Sequence, residues 1–207
     1  MRIDEKGFLV FDVETSGLYN NDYPAYDKQQ AWIVQFAGQI LDNNLKLVRE
    51  ISLLLKPPFP DAVIEEKAEE THGISLAECW KDGVSPGKVR LFLKPVFEGK
   101  LRLVGHNVNF DSKFLHRFTA NKAERTQLIE AFKQGICTMR SGTSICKLPP
   151  TKAMLKYKNL KYKNPKLEEL HEFLFNEKFV GAHDALNDVK ATVRCLREMI
   201  KRGAIRL

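Results

Sequence analysis

The 207-residue chain is 43% hydrophobic and 29% charged, a composition typical of a globular protein with one buried core. Its formal net charge of +7 suits polyanionic partners such as nucleic acid, although simple solubility explains the charge equally well. The four cysteines include no Cys-x-x-Cys pair, which excludes a zinc ribbon and a dense disulfide framework. We therefore expect a single domain over residues 1–207.

The sequence carries no sign of secretion or membrane insertion. Its N-terminus, Met1–Lys6, lacks the apolar region of a signal peptide, and no apolar run approaches the ~20 residues of a membrane helix. Free thiols in a reducing compartment are the simplest state for the cysteines. These features predict a soluble, cytoplasmic protein without a membrane partner.

Three strands are predicted at the start of the chain. Residues 8–13 form a buried apolar run, and residues 32–41 and 45–55 form two further β-type runs. The polar segment 19–30 is a predicted loop, and residues 42–44 have turn chemistry. Such tight connections favour an antiparallel meander at the start of a mixed sheet.

Helical signals follow in the middle of the chain. Asp61 is a candidate cap for a short helix that ends at Gly73, and Ser75 for a second helix that runs to Trp80. A third helix is predicted over residues 85–96 because its apolar residues recur on one side.

A short strand over residues 101–104 runs directly into a helix that begins near Asn109. Phe110, Phe114 and Phe118 recur at every fourth position, so this helix is expected to bury an aromatic face.

The C-terminal third contains one more predicted strand, at residues 136–138, and two helices. The first helix covers residues 167–175, and the second covers residues 185–201 with Asp184 as its N-cap. Strands first and helices interleaved later predict an α/β fold, a central mixed sheet flanked by helices.

The segment 141–166 is basic and poorly periodic. It is either a solvated loop or a surface for a nucleic-acid strand, because lysine and tyrosine together suit phosphate contact and base stacking. Its basic and aromatic residues are Lys147, Lys152, Lys156, Tyr157, Lys158, Lys161, Tyr162 and Lys163.

Four carboxylates stand at the ends of predicted elements. Asp12 and Glu14 share one face of the first strand, because strand side chains alternate. Asp111 and Asp188 lie in first helical turns, where the helix dipole favours a carboxylate whatever the function. His183 directly precedes the last helix.

Together these residues have a common chemical logic. Carboxylate oxygens without clustered Cys or His suit Mg²⁺ or Mn²⁺ better than zinc. Two such ions about 3.5–4 Å apart clamp the attacking and leaving oxygens of a phosphodiester displacement. A neutral histidine is suited to take a proton from the attacking water.

Three segments carry a family resemblance. Residues 11–18 (FDVETSGL), 106–111 (HNVNFD) and 182–189 (AHDALNDV) resemble the three motifs of the DEDDh 3′→5′ exonucleases, in the family's order. That family includes the epsilon proofreading subunit of bacterial DNA polymerase III and free-standing nucleases. The resemblance implies a ribonuclease-H-like fold and hydrolysis of terminal phosphodiesters from the 3′ end, with release of nucleoside 5′-monophosphates.

The resemblance also implies residue roles. Asp12, Glu14, Asp111 and Asp188 would hold two Mg²⁺ ions, for which Mn²⁺ would substitute, and His183 would be the general base. The implied substrate-binding residues are Thr15, Ser16, Gly17, Leu18, His106, Asn107 and Phe110. Helix capping is the structural alternative for Asn107, and core packing is the alternative for Phe110.

The expected substrate is DNA with a single-stranded 3′ end, because a duplex end must fray before it enters an acidic site. An RNA-trimming enzyme and a non-catalytic nucleic-acid-binding subunit of a replication complex are the alternatives. A replication polymerase is a possible partner, but the chain ends directly after its last helix, which favours a free-standing nuclease or a shortened chain. The 19–30 loop is expected to line the mouth of the site.

Overall fold

One mixed sheet forms the centre of the protein in the computed structural model, which describes residues 6–156 and 161–207. Within these residues its strands are β1 (Gly7–Thr15), β2 (Ile33–Leu41), β3 (Leu47–Leu54), β4 (Leu101–Gly105) and β5 (Ile136–Cys137). Their order is β3-β2-β1-β4-β5; β2 is antiparallel to β1 and β3, and β4 is parallel to β1 and β5. The predicted α/β fold with a mixed sheet is confirmed.

Helices flank this sheet. Over the described residues they are α1 (Glu66–His72), α2 (Leu76–Asp82), α3 (Gly87–Phe97), α4 (Val108–Leu115), α5 (Lys122–Lys133), α6 (Thr138–Cys146), α7 (Leu167–Phe175) and α8 (Ala185–Lys201). None of the helices in this part of the chain combines the length and apolar character needed to cross a membrane.

Helices α7 and α8 have the predicted bounds, and α4 begins one residue before the predicted start. The cap of α2 is also as predicted. The Ser75 side chain accepts a hydrogen bond from the Glu78 backbone N–H at 3.2 Å, and the Glu78 carboxylate accepts one from the Ser75 N–H at 2.7 Å.

The helices differ from the predictions in three places. Asp61 does not cap α1, because residues 59–62 form a turn and the Glu65 N–H donates to the Ser16 carbonyl at 2.8 Å, which keeps the chain before α1 extended. The first part of the basic segment 141–166 is helical, since it belongs to α6. Helix α5 lies between predicted elements and was not predicted. Tyr157 and Lys158 lie outside the described residues.

Two hydrophobic cores cover opposite faces of the sheet. Leu9, Phe11 and Val13 of β1 pack in the core that contains apolar residues of α3, α4 and α5. Phe8 and Val10 pack in the second core, which contains apolar residues of α7 and α8. Because strand side chains alternate, Asp12 and Glu14 lie on the same face of β1 as Phe8 and Val10. This is the face that α8 covers.

The 19–30 loop packs against α4 and the turn that follows it. The Gln30 side chain holds the loop together, since it donates to the carbonyls of Asn20 at 2.6 Å and Tyr23 at 3.2 Å. The Arg117 guanidinium donates to the carbonyls of Ala25 at 2.8 Å and Asp27 at 3.1 Å.

Candidate active site

Asp12 and Glu14 continue the face of β1 that carries Phe8 and Val10. This is the face covered by α8, and Asp188 lies in the first turn of that helix. Glu14 is only 9% exposed, and Asp12 and Asp188 are half-buried. The packing of α8 on β1 therefore brings residues that are 174 and more positions apart in the sequence to one place.

Asp111 reaches the same place from the other side of β1. Asn107 takes a left-handed conformation (φ 69°) at the start of α4, and this turns the chain from β4 into the helix. Gly105 permits the close approach, because a Cβ there would lie 3.3 Å from the Val108 backbone and 3.4 Å from the Phe11 carbonyl oxygen. The Asp111 side chain is buried, with 4% of its surface exposed.

His183 lies at the N-terminus of α8 and is exposed. It has a positive φ of 67°, and its backbone N–H donates to one Asp188 carboxylate oxygen at 3.3 Å. Asp184 caps α8 by accepting from the Asn187 N–H at 2.9 Å, as predicted. One oxygen of Glu14, one ring nitrogen of His183 and one oxygen of Asp188 lie within 4.8 Å of one another.

The carboxylates raise one another's pKa. Burial, followed by the charges of Asp111, Asp188 and Glu14, holds the pKa of Asp12 well above its usual value of 3.8. Burial is also the main cause that raises the pKa of Asp111 to about 8, with Glu14 and Asp188 adding to it. The pKa of Glu14 is raised to about 7 by burial and by the charges of Asp188 and Asp184.

The pKa of Asp188 rises less than that of Asp111, because part of its environment favours the ionised carboxylate. Burial raises its pKa to about 6, whereas the backbone N–H and the imidazole of His183 oppose the rise. Its Oδ1 atom is buried and has no hydrogen-bond partner among the described residues. A buried acceptor without a donor, among carboxylates with raised pKa values, fits a site for a cation.

The donor set is suited to a divalent cation. Carboxylate oxygens are hard ligands that suit Mg²⁺ or Mn²⁺, whereas an imidazole nitrogen is a borderline ligand that also suits zinc. The trio of Glu14, His183 and Asp188 is the set of atoms close enough to share one ion as they stand. Asp12 and Asp111 adjoin the trio electrostatically, since each interacts with Glu14 and Asp188.

A cavity of about 260 Å³ opens beside Glu14, and we call it the Thr15 cavity. Its lining residues are Glu14, Thr15, Gly17, Leu18, Glu65, Lys67, Ala68, Thr71 and His72. Leu18 is 77% exposed at its rim, a position that suits contact with a base. Ser16, by contrast, is buried and its hydroxyl oxygen accepts from the Trp32 N–H at 3.0 Å, so this side chain supports the turn.

The residues of α1 that line this cavity were not predicted as site residues. His72 Nδ1 accepts a hydrogen bond from the Ile74 N–H at 3.0 Å, so the ring proton lies on Nε2. The Nε2 atom is buried and makes no hydrogen bond of normal geometry within the described residues. Burial lowers the pKa of His72, and the nearby Thr15 backbone carbonyl opposes this effect. The Nε2–H is therefore directed to Thr15 at the wall of this cavity.

A second cavity, of about 370 Å³, lies on the other side of the carboxylates, and we call it the His106 cavity. Its lining residues are Asp12, His106, Asn107, Met139, Asn164, Pro165, Lys166, Leu167, Glu168, His183 and Asp188. The end of the basic segment 141–166 therefore reaches the site.

Two of the predicted substrate-binding residues have structural contacts of their own. His106 bridges two elements through its ring nitrogens, which lie 3.1 Å from the Thr138 hydroxyl oxygen and 3.0 Å from the Pro165 carbonyl oxygen. Phe110 packs against the core, with its ring centroid 5.3 Å from that of Phe114. Asn107 stands at the cap position of α4, but its side chain makes no capping hydrogen bond.

The 19–30 loop was predicted to line the mouth of the site, and this prediction is wrong for the two cavities beside the carboxylates. Among the described residues, none from this loop lines the Thr15 cavity or the His106 cavity. The contacts of Arg117 hold the loop at the far end of α4 instead.

Gln35 is a supporting residue that the sequence did not reveal. Its side-chain oxygen accepts from the Ala185 N–H at 3.1 Å, and its amide nitrogen donates to the Asp184 carboxylate at 3.2 Å. Gln35 also lies opposite Glu14 in the β1–β2 register. It therefore fixes the start of α8, with His183 and Asp188, against the strand pair that carries Glu14.

The sequence matches the exonuclease family RNase_T over residues 9–196. The chain belongs to this exonuclease family, which confirms that the three motifs are those of an exonuclease. Among curated proteins, none matches the sequence significantly.

Solved structures of Exonuclease I share the fold. E. coli Exonuclease I in complex with a dA16 oligonucleotide aligns with a TM-score of 0.62 and 19% identity, over 95% of this chain and 41% of that chain. Exonuclease I from Methylocaldum szegediense aligns with a TM-score of 0.65 and 20% identity, over 95% and 41%. The zinc-bound E. coli Exonuclease I–ssDNA complex aligns with a TM-score of 0.64 and 20% identity, over 96% and 41%. The chain thus spans about two-fifths of the length of these proteins.

Proposed function

We propose that the chain is a DEDDh-type 3′→5′ exonuclease that removes nucleoside 5′-monophosphates from single-stranded DNA with the help of divalent metal ions. The observation that carries the proposal is the convergence of four carboxylates with raised pKa values beside an exposed histidine. Family membership and the oligonucleotides bound to the Exonuclease I structures support the choice of reaction and substrate.

The four carboxylates, Asp12, Glu14, Asp111 and Asp188, would hold two Mg²⁺ ions, or Mn²⁺ in their place. The bound metal supplies Lewis-acid stabilisation of the charge that develops on the phosphate oxygens. The structure supports this assignment through the orphaned Asp188 Oδ1 atom and the mutual repulsion of the carboxylates, both of which a cation relieves.

His183 would act as the general base. Its side chain is exposed beside Glu14 and Asp188, so a water molecule held at these carboxylates lies within its reach. The Asp188 carboxylate accepts the His183 backbone N–H, and this fixes the residue at the start of α8. The imidazole therefore takes a proton without having to serve as the main metal ligand.

The Thr15 cavity would receive the terminal nucleotide. Its volume of about 260 Å³ suits a single nucleotide, and Glu14 connects it to the carboxylates. Thr15, Gly17 and Leu18 line it, and His72 closes its wall beside Thr15. The terminal phosphodiester then lies between this cavity and the His106 cavity, at the carboxylates.

Degradation of a 5′-labelled single-stranded DNA oligonucleotide tests the proposal. Wild-type protein in Mg²⁺ should give a ladder that shortens from the 3′ end and release 5′-mononucleotides, whereas EDTA should abolish cleavage. Asp12→Asn should be inactive, and the exposed Asp61→Asn is the matched control that should keep full activity. Cleavage in EDTA, an active Asp12→Asn variant or shortening from the 5′ end would each contradict the proposal.

Two parallel measurements address the finer points. A matched RNA oligonucleotide tests the preference for DNA, and faster cleavage of RNA would reverse that assignment. The resemblance to proofreading subunits adds the expectation of a replication polymerase as a partner, which co-purification tests.

A further inference from the structure

Two adjoining cavities run along helix α5, away from the carboxylates. The first has a volume of about 510 Å³ and lies between α4, α5, β5 and α6. The second, of about 570 Å³, lies along the N-terminal half of α5, and Ile129 lines both. We call the two together the α5 groove; it follows a helix of 12 residues, which is about 18 Å long.

The α5 groove is positively charged. Among the described residues no carboxylate lines either cavity, and the lining cations are Lys113, Lys122, Arg125, Lys133 and Arg140. Lys133 pairs with Glu130 at 2.7 Å, and Lys113 donates to the Asn21 side chain at 3.0 Å. The other three cations are exposed and have no hydrogen bond or ion pair from their side chains within the described part of the chain.

The groove lies next to the candidate active site, across the starts of α4 and α6. Asn107 and Met139 line the His106 cavity, and their chain neighbours Val108 and Arg140 line the first cavity of the groove. The starts of α4 and α6 therefore form a wall shared by the two cavities. A strand bound at the carboxylates would have to cross these two helix starts, past Arg140, to reach the cations at the N-terminus of α5.

Shape and charge together distinguish this groove from an ordinary solvated face. Unpaired cations on a convex surface have no preferred ligand, but cations lining a concave path without carboxylates concentrate a polyanion. The 39% exposed Ile129 and the half-buried Phe132 provide apolar surface between them, where nucleobases can pack.

We propose that the α5 groove binds the phosphates of single-stranded DNA on the 5′ side of the nucleotide that is removed. This inference rests on the proposed function, since the polarity of the strand is set by a 3′ end in the Thr15 cavity. A strand of a few nucleotides occupies only the two cavities beside the carboxylates, whereas a longer strand reaches the groove. Long substrates should therefore bind more tightly than short ones because of the groove cations.

Binding measured without turnover tests the proposal independently of catalysis. The groove variant carries Lys122→Gln, Arg125→Gln and Arg140→Gln. The control variant carries Lys46→Gln, Lys201→Gln and Arg206→Gln, which removes the same charge at exposed positions away from the groove. Fluorescence anisotropy in Mg²⁺ compares labelled oligonucleotides of about 4 and about 20 nucleotides, made with nuclease-resistant phosphorothioate linkages, at several salt concentrations.

We expect the groove variant to bind the long oligonucleotide at least ~10-fold more weakly than wild type, with the slope of log K against log salt reduced by about 2. Its affinity for the short oligonucleotide should match that of the control variant, and both variants should unfold at the wild-type temperature. Equal affinities of the groove and control variants for the long strand would overturn the proposal, as would equal weakening for both lengths. If the groove variant fails to fold, Arg140→Gln alone is measured, with an expected slope change of about 0.7.

The outcome separates the two proposals. Wild-type protein that binds long DNA through the groove but never hydrolyses it would refute the proposed function and leave the groove established. Wild-type protein that hydrolyses DNA with affinities independent of the groove cations would refute the groove alone.

Discussion

The metal-free protein should lose stability as the pH rises, because its active-site carboxylates resist ionisation in the folded chain. The pKa of Asp111 is about 8 and that of Glu14 about 7 in the fold, against ordinary values of 3.8 and 4.5. Above pH ~5 the unfolded chain has released protons that the folded chain still binds. The free energy of unfolding therefore falls with rising pH until the folded carboxylates also ionise, near pH 8.

The size of the effect follows from the number of retained protons. Each proton that the folded chain holds in excess changes the free energy of unfolding by about 1.4 kcal/mol per pH unit. With one such proton, a rise from about pH 6 to about pH 8 costs roughly 3 kcal/mol. For a protein of this size that loss lowers the unfolding temperature by roughly 5–10 °C.

Thermal unfolding followed by circular dichroism in EDTA, at both pH values, measures this loss. Asp111→Asn should reduce the pH dependence, because the amide cannot ionise, while the exposed Asp61→Asn should retain it in full. Excess Mg²⁺ should also reduce it, since a cation favours the ionised carboxylates. An unfolding temperature in EDTA that stays constant or rises with pH would refute the reasoning, and so would an unchanged pH dependence in Asp111→Asn.

Three further substitutions test parts of the structure separately. His183→Ala should lower kcat by about 10²–10⁴-fold in steady-state assays, because it removes the base. The unfolding temperature and the Mg²⁺ concentration for half-maximal activity should stay nearly unchanged. A change in that Mg²⁺ concentration without a loss of kcat would contradict the role of His183 as the base. Gln35→Ala should destabilise the fold by about 1–2 kcal/mol and raise the Mg²⁺ concentration for half-maximal activity, since the Ala185 N–H loses its acceptor. The exposed Gln29→Ala is the control. Equal behaviour of the two variants would refute the positioning role of Gln35. Gln30→Ala should destabilise the fold by about 2–3 kcal/mol and speed hydrogen exchange over residues 20–30, because its buried side chain holds the loop together; exchange confined to other segments would refute this.

The carboxylates and the last helix could be predicted because their signals are local. Strand alternation places Asp12 and Glu14 on one face, and the Asp184 cap marks the start of α8. The fold then required only that α8 pack on β1. The packing of α8 on β1 was inferred from the family resemblance of the three motifs. The hydrophobic periodicity of the two segments does not predict it.

The remaining parts of the site depend on contacts between distant residues. His72 lines the Thr15 cavity because the Glu65 N–H donates to the Ser16 carbonyl, a pairing across 49 positions that leaves no pattern in either segment. Gln35 reads as an ordinary polar residue on a strand, and its role appears only when α8 is in place. A helix such as α5, whose N-cap Asn121 accepts from the Glu124 N–H at 2.9 Å, had a local signal that its charged composition obscured.

The net charge of +7 and the acidic site are consistent with each other once the charges are located in the fold. Without metal, the cluster around Asp12 offers an arriving phosphate no positive charge, and those of its carboxylates that are ionised repel it. The cations of the α5 groove lie next to this cluster, across the starts of α4 and α6, and in the proposed arrangement they attract the strand at positions where no bond is broken. In the proposed arrangement the groove holds the DNA strand, and metal bound at the carboxylates allows the terminal phosphate of that strand to enter the site. Composition gives only the sum of these charges; their separation into an acidic centre and a basic approach is set by the packing of α4, α5 and α6.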